Sequence, residues 1–196
     1  MKSIEIIATE HRVVWRLLEC LKAFVDRSRA DGELNQKTAA ELLHLFEWFV
    51  EGSHQDKEER HLFPRLIKGA TPTEARRLAR LFQDHANERR RLIGMRLQVE
   101  GALQGNMSSL DRFAAHAQSY LRLQRGHMIE EDLFVLPLAE SVLSPEDDRE
   151  IVQGYKDIDA RSGHLGDVGE SIASLGEHFG IGPVDEDVPL HLLSWG

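Results

Sequence analysis

Four stretches of this chain carry apolar residues at steps of three and four, and each is broken near its middle by histidine or glutamate. The first holds Ile7, His11, Val14, Leu18, Leu21 and Val25. The second holds Leu42, Phe46, Phe49, His54, Glu58 and His61. The third holds Leu78, Leu81, His85, Glu88, Leu92 and Met95, and the fourth Phe113, Tyr120, His127, Glu131, Phe134 and Leu138. These steps put each set on one face of an α-helix, and no segment alternates with period two long enough to suggest a strand. A buried stripe should be aliphatic. Burying histidine or glutamate without partners costs several kcal/mol per group. These residues must therefore be exposed, satisfy one another, or hold something.

Proline and glycine set the boundaries. The six prolines leave residues 1–63 and 73–136 free of the residue that helix interiors exclude. Asp31-Gly32 marks a first turn and Gly69 can stop the second helix. Thr71-Pro72-Thr73-Glu74 reads as an N-cap, a proline at the first helical position and a capping-box acid. Ser144-Pro145-Glu146-Asp147 repeats that pattern, and Ser108 with Asp111 could open the fourth helix. The expected fold is all-α: an antiparallel up-down-up-down four-helix bundle over residues 1–143. A glycine-rich, acidic extension would follow over 144–196, with helices near 146–161 and 165–179 and an irregular end.

The spacing of the misplaced polar residues is duplicated. His54 and Glu58 stand four apart, as do His127 and Glu131, which puts each pair one turn apart on one face. His11 to His54 is 43 residues and His85 to His127 is 42. An acid precedes the lone histidine in both halves, as Glu10-His11 and Asp84-His85. The runs HQDKEERHLFP at 54–64 and HMIEEDLFVLP at 127–137 match in their His, Glu, second acid, apolar pair and proline. Two helix pairs related by a pseudo-two-fold axis would bring four histidines and two glutamates together at mid-bundle. Di-metal carboxylate sites in bundles follow this logic.

In the order His, His-x3-Glu, His, His-x3-Glu, residues 5–142 resemble the hemerythrin-like, or HHE cation-binding, proteins. The resemblance implies a non-haem di-iron centre, oxo- or hydroxo-bridged. By position its ligands would be His11, His54, Glu58, His85, His127 and Glu131, with Glu58 and Glu131 bridging. Oxygen-carrying hemerythrins have a further histidine where this chain has Arg89. They also place an aspartate where Asp132 stands, so Asp132 competes with Glu131 for the fourth-helix carboxylate. Four His and two Glu look more like the di-iron proteins linked to iron–sulfur repair and nitric oxide. The expected partner is a small diatomic, O2 or NO, and the expected role is binding, sensing or iron handling rather than turnover. A di-iron enzyme or repair protein is the alternative. A structural bundle holding zinc or another cation is the second. Imidazole and carboxylate also suit manganese and zinc.

Other residues carry weaker signals. His61 shares the stripe of His54 and could support the site, although a polar residue further along the bundle fits as well. Glu88 could add a carboxylate, but a solvated acid beside Arg89, Arg90 and Arg91 is the simpler reading. Tyr120 could hydrogen-bond a ligand or be ordinary core. Pro64 and Pro137 should kink or end their helices. Trp15, Trp48 and Phe82 read as core. His44 and His116 lie off the ligand stripe or too far along it. His164, His178 and His191 read as surface, and Trp195 as a docking residue for the tail. Lys plus Arg number 24 against 33 Asp plus Glu, a net charge of −9, which disfavours nucleic acid. Cys20 is the sole cysteine, so disulfides and Cys-based zinc sites drop out and a cytoplasmic setting is expected. The longest apolar run, Leu133 to Ala139, contains Pro137 and falls far short of the roughly 20 residues of a membrane span. The start, MKSIEIIATEH, does not read as a signal peptide. The extension could serve as a contact between copies of the chain, and no protein partner is indicated.

Overall fold

The computed structural model describes residues 1–162 and 165–184, and among them every regular element is a helix, with no strand. Helix α1 is Lys2–Asp31, ended by Gly32 in the left-handed conformation at φ 72° that favours glycine. Residues 36–69 form a continuous second rod, α2, capped by the Asn35 side chain on the Thr38 N–H. Helix α3 is Pro72–Leu103, and its expected capping box is present between Thr71 and Glu74. Residues 107–142 form α4. Its cap is Asn106, which accepts from the Ser109 N–H, rather than Ser108. The Asn side chain reaches the third free N–H of the first turn, so the helix begins two residues earlier than Ser108 would allow. Helix α5 is Pro145–Ser162, with Ser144 and Asp147 bonded reciprocally, and α6 is Leu165–Phe179. The four long rods make the expected antiparallel bundle.

The bundle's core is in two parts. One cluster runs from Val14 to Val25 on α1, Leu42 to Val50 on α2, Leu92 and Met95 on α3, and Phe113 to Met128 on α4. The other contains Ile4 and Ile7, Leu62 to Leu66, Leu78 and Leu81, and Phe134 to Leu143. His11, His54, Glu58, His85, Glu88 and Glu131 lie in the chain between the two on every rod, and all are buried. The extension packs back on the bundle. Ile151 and Tyr155 of α5 join the smaller cluster, and Val168, Ile172 and Leu175 of α6 join the larger one. Trp15 is core as expected, whereas Trp48 is only partly buried and stacks on exposed His44.

The prolines do not end their helices. Residues 46–55, 58–62 and 131–135 are π-helical, with bonds reaching five residues back. The Phe63 N–H donates to the Glu58 carbonyl just before Pro64, and the Leu136 N–H to the Glu131 carbonyl just before Pro137. The shift in bonding register falls beside the residue that has no N–H to give, so the rod passes through both prolines. No described helix is long and apolar enough to cross a membrane. His164, His191, Trp195 and the irregular end lie outside the described residues.

Candidate metal centre

The π turns sit where the chemistry is. Glu58 and Glu131 each open one, and each lies one turn after a histidine of its own rod. His11 comes from α1, His54 and Glu58 from α2, His85 from α3, and His127 and Glu131 from α4. The six converge as two groups of four, His11–His54–Glu58–Glu131 and Glu58–His85–His127–Glu131, with donor atoms inside each group within 4.8 Å of one another. The two glutamates belong to both groups.

The distances give each carboxylate a spanning position. Glu58 Oε1 is 3.3 Å from His54 Nε2 and 3.7 Å from His11 Nε2, while its Oε2 is 3.4 Å from His85 Nε2. Glu131 Oε1 is 3.0 Å from His127 Nε2, and its Oε2 is 3.2 Å from His11 Nε2. The Nε2 atoms of His85 and His127 are 2.8 Å apart. Both oxygens of Glu58 and of Glu131, and the Nε2 atoms of His11 and His54, are buried without a hydrogen-bond partner. Native interiors rarely leave so many polar atoms unsatisfied. A set of inward-facing imidazole nitrogens and shared carboxylate oxygens is a donor set for divalent cations.

A ring of carboxylates aims the imidazoles. His11 Nδ1 lies 2.7 Å from Asp132 Oδ1, His54 Nδ1 3.0 Å from Glu10 Oε2, and His85 Nδ1 2.8 Å from Glu59 Oε1. His127 Nδ1 is 4.0 Å from Asp84 Oδ2. With Nδ1 turned to a carboxylate, Nε2 is left to face the centre, the usual orienting device for metal-bound histidine. The arrangement obeys the sequence repeat. The acid before each lone histidine faces the paired histidine of the next rod, and the acid after each shared glutamate faces a lone histidine.

The charges balance within the cluster. Burial pushes Glu58 up, but His54, His11 and His85 outweigh it and hold the carboxyl well below its ordinary range. Glu131 is held at about 2, because His127 and His11 overcome burial and the Glu58 charge. Burial pushes His85 down, yet Glu58 and Glu59 bring it up to about 9. His11 and His127 are raised well above 6.5 against burial, the first by Asp132, Glu131 and Glu58 and the second mainly by Glu131 and Glu88.

The residues with weaker signals divide. Asp132 is placed behind His11 and belongs to neither four-residue group. Arg89 donates to Glu59 Oε1 at 2.9 Å and Gln55 Oε1 at 3.2 Å, so it steadies the carboxylate behind His85. Glu88 is not solvated. It is fully buried, takes a 2.7 Å bond from Gln55 Nε2, and burial pushes it up to about 7. The antiparallel register of α2 and α3 closes over it, which single-helix periodicity does not reveal. His61 leaves the stripe and meets Tyr155 edge-on at 6.3 Å, packed against Gly154, where a Cβ would lie 2.3 Å from its ring. The π turn underwinds α2, so seven residues no longer return to the same face. Tyr120 is core against Phe46 at 5.0 Å, with its buried hydroxyl unpartnered.

Sequence reasoning did not assign the roles of Glu10, Glu59, Asp84 or Lys57. The acids before His11 and His85 were visible signals for Glu10 and Asp84. Lys57 had no signal, because it sits in a strongly charged run yet is fully buried.

The family model described as "Hemerythrin HHE cation binding domain" matches residues 2–153. Uncharacterized proteins of Mycobacterium bovis and Mycobacterium tuberculosis are 24% identical over 192 residues, covering 94% of this chain and 73% of theirs. No solved structure gives a significant match.

Proposed function

The chain belongs to the hemerythrin HHE cation-binding family, and from that premise we propose that His11, His54, Glu58, His85, His127 and Glu131 hold a two-iron centre that binds a small diatomic ligand. The observation carrying this reading is the pair of four-residue groups sharing Glu58 and Glu131, with the shared oxygens buried and unpartnered. Two histidines and two shared carboxylates offer each cation about four protein donors, fewer than the six that iron commonly accepts. When bound, iron would supply reversible redox change and open coordination positions for O2 or NO. The protein's part is to aim four Nε2 atoms, to share two carboxylates, and to exclude bulk water. Asp132, Glu10 and Glu59 fix three imidazoles in place, and the two apolar clusters seal the layer on either side. The setting is a soluble one, in the cytoplasm.

The test is an anaerobic titration of the iron-loaded, reduced protein with NO, followed by visible absorption. The reading expects saturable new bands with a fixed stoichiometry per chain. Absence of any spectral change, with iron bound, would sink the diatomic role.

A second reading, a di-iron enzyme acting on NO or peroxide, draws on one specific observation. Glu88, Tyr120 and Gln124 carry buried polar atoms without partners on rods that also bear His85 and His127. Glu88 lies three residues after His85 and Gln124 three before His127, so antiparallel α3 and α4 place them at one level. Such groups could hold or pass a proton. Catalytic consumption of peroxide or NO in the presence of an electron donor, instead of binding that stops at saturation, would favour this second reading.

A further inference from the structure

The two halves of the layer are built from the same repeat but supported differently. Behind His54, Glu10 is only 10% exposed and is gripped by the ammonium of Lys57, whose side chain is fully buried. Lys57 Nζ also lies 2.6 Å from Asp159 Oδ1, and Ser53 Oγ donates to that same oxygen at 3.1 Å. Asp159 belongs to α5, beyond the stretch that the family model matches. An unbroken chain of polar contacts thus runs Asp159–Lys57–Glu10–His54 from the extension into the layer.

Behind His127, the counterpart of His54, the other half has no such chain; its support goes to His85, through Glu59 and Arg89 on the bundle itself. The residue equivalent to Lys57 under the repeat is Glu130, which pairs outward with Arg77. Asp84, the counterpart of Glu10, is 39% exposed and 4.0 Å from His127 Nδ1, which is left without a hydrogen bond. A surface cavity of about 480 Å³ lined by Arg77, Arg80, Asp84 and Glu130 opens beside it.

We infer that α5 is a working part of the metal centre: Asp159, acting through Lys57 and Glu10, positions His54 and makes the His11–His54 half the tight one, while the His85–His127 half exchanges its cation first. This deepens the two-metal reading and rests on it. Asp159 is a positioning residue, since it touches no donor atom of the centre. Loss of a group that orients a metal-binding histidine commonly weakens binding by roughly 10- to 100-fold. The effect should fall on one half alone.

The full chain, freed of metal and reloaded with Co2+ alone, provides the test. Release to an excess of chelator is followed by the loss of the visible cobalt bands. The wild type should release two ions in two phases of about equal size. Asp159→Asn should speed the slow phase by about ten-fold and leave the fast phase unchanged. Arg65→Ala cuts a different tether of α5, to Asp147 and Glu150, and should change neither phase. Should Asp159→Asn fail to fold, Ser53→Ala removes the other anchor of Asp159 and should speed the same slow phase by a smaller factor. A single phase in the wild type, or a variant of Asp159 that moves both phases equally or neither, would overturn the inference. So would Arg65→Ala reproducing the effect. Failure of the wild type to hold two cobalt ions would overturn the two-metal reading as well, and is read separately from the phases.

Discussion

The layer of histidines and glutamates and the apolar clusters flanking it are solved by opposite means. Above and below, Leu, Phe, Ile and Val fill the space between rods and need nothing from outside the chain. In the layer, the outward atoms of the imidazoles are mostly satisfied by carboxylates, whereas the inward atoms face only one another. Apolar packing is complete in the protein by itself, and the layer is complete only with a cation. Fold and cation binding should therefore be separable by mutation, with the first residing in the clusters and the second in the layer.

The largest effect should come from the layer. Glu58→Ala removes oxygens common to both four-residue groups and should reduce bound metal to well under one ion per chain, measured by elemental analysis after desalting. Glu59→Ala should leave most metal bound, with affinity lowered roughly 10- to 100-fold, because Glu59 only orients His85. Equal loss from both would merge the two roles that the geometry separates.

The converse substitution lies in the core. Leu18 is fully buried in the larger cluster. Leu18→Ala should cost about 2–5 kcal/mol in denaturant unfolding while leaving metal stoichiometry at the wild-type level. Loss of metal in step with stability would show that layer and core are one unit.

Acid and base should sharpen the contrast further. His85, raised to about 9, stabilises the metal-free fold fully below its unfolded value of about 6.5, and that contribution is lost as pH rises through about 9. Glu131, held at about 2, contributes above its ordinary value of about 4.5 and loses its contribution as pH falls towards 2. From these two groups the metal-free protein should be most stable between about pH 4.5 and 6.5. Metal demands neutral imidazoles, so the gain in Tm on loading should grow as pH rises from about 5 to 8. Thermal scans of both forms across that range check the sign. The smallest effect belongs to Tyr120→Phe, which deletes an unpartnered hydroxyl and should shift stability by about 1 kcal/mol or less, in the stabilising direction.

Much of this was legible in the residues. Spacings of four, the near-equal intervals between histidines and the repeated His-to-Pro runs pointed to four rods and to one polar layer, because helical period and antiparallel packing fix both. The π turns were not legible, since a single underwound turn barely disturbs an apolar pattern, yet it carries His61 off the stripe and lets Pro64 and Pro137 stay inside rods. Glu88 was misread and Lys57 gave no signal for a different reason. Each sits in a charged run, and each is buried by a neighbouring rod or by the extension, so its environment exists only after tertiary packing. The extension bore a helix cap at Ser144 to Asp147 but no motif pointing to the layer, and its link there through Asp159 depends on one contact 106 residues away in sequence, with Ser53, and on Lys57 beside it.

The most direct test of the account is the metal content of the full chain expressed with iron and purified without added metal, read alongside its visible spectrum. The account predicts about two irons per chain, lost together when Glu58 is replaced by Ala, in a protein whose helical signal survives the substitution. A well-folded wild type that carries no metal, and takes up none when iron is supplied, would contradict it.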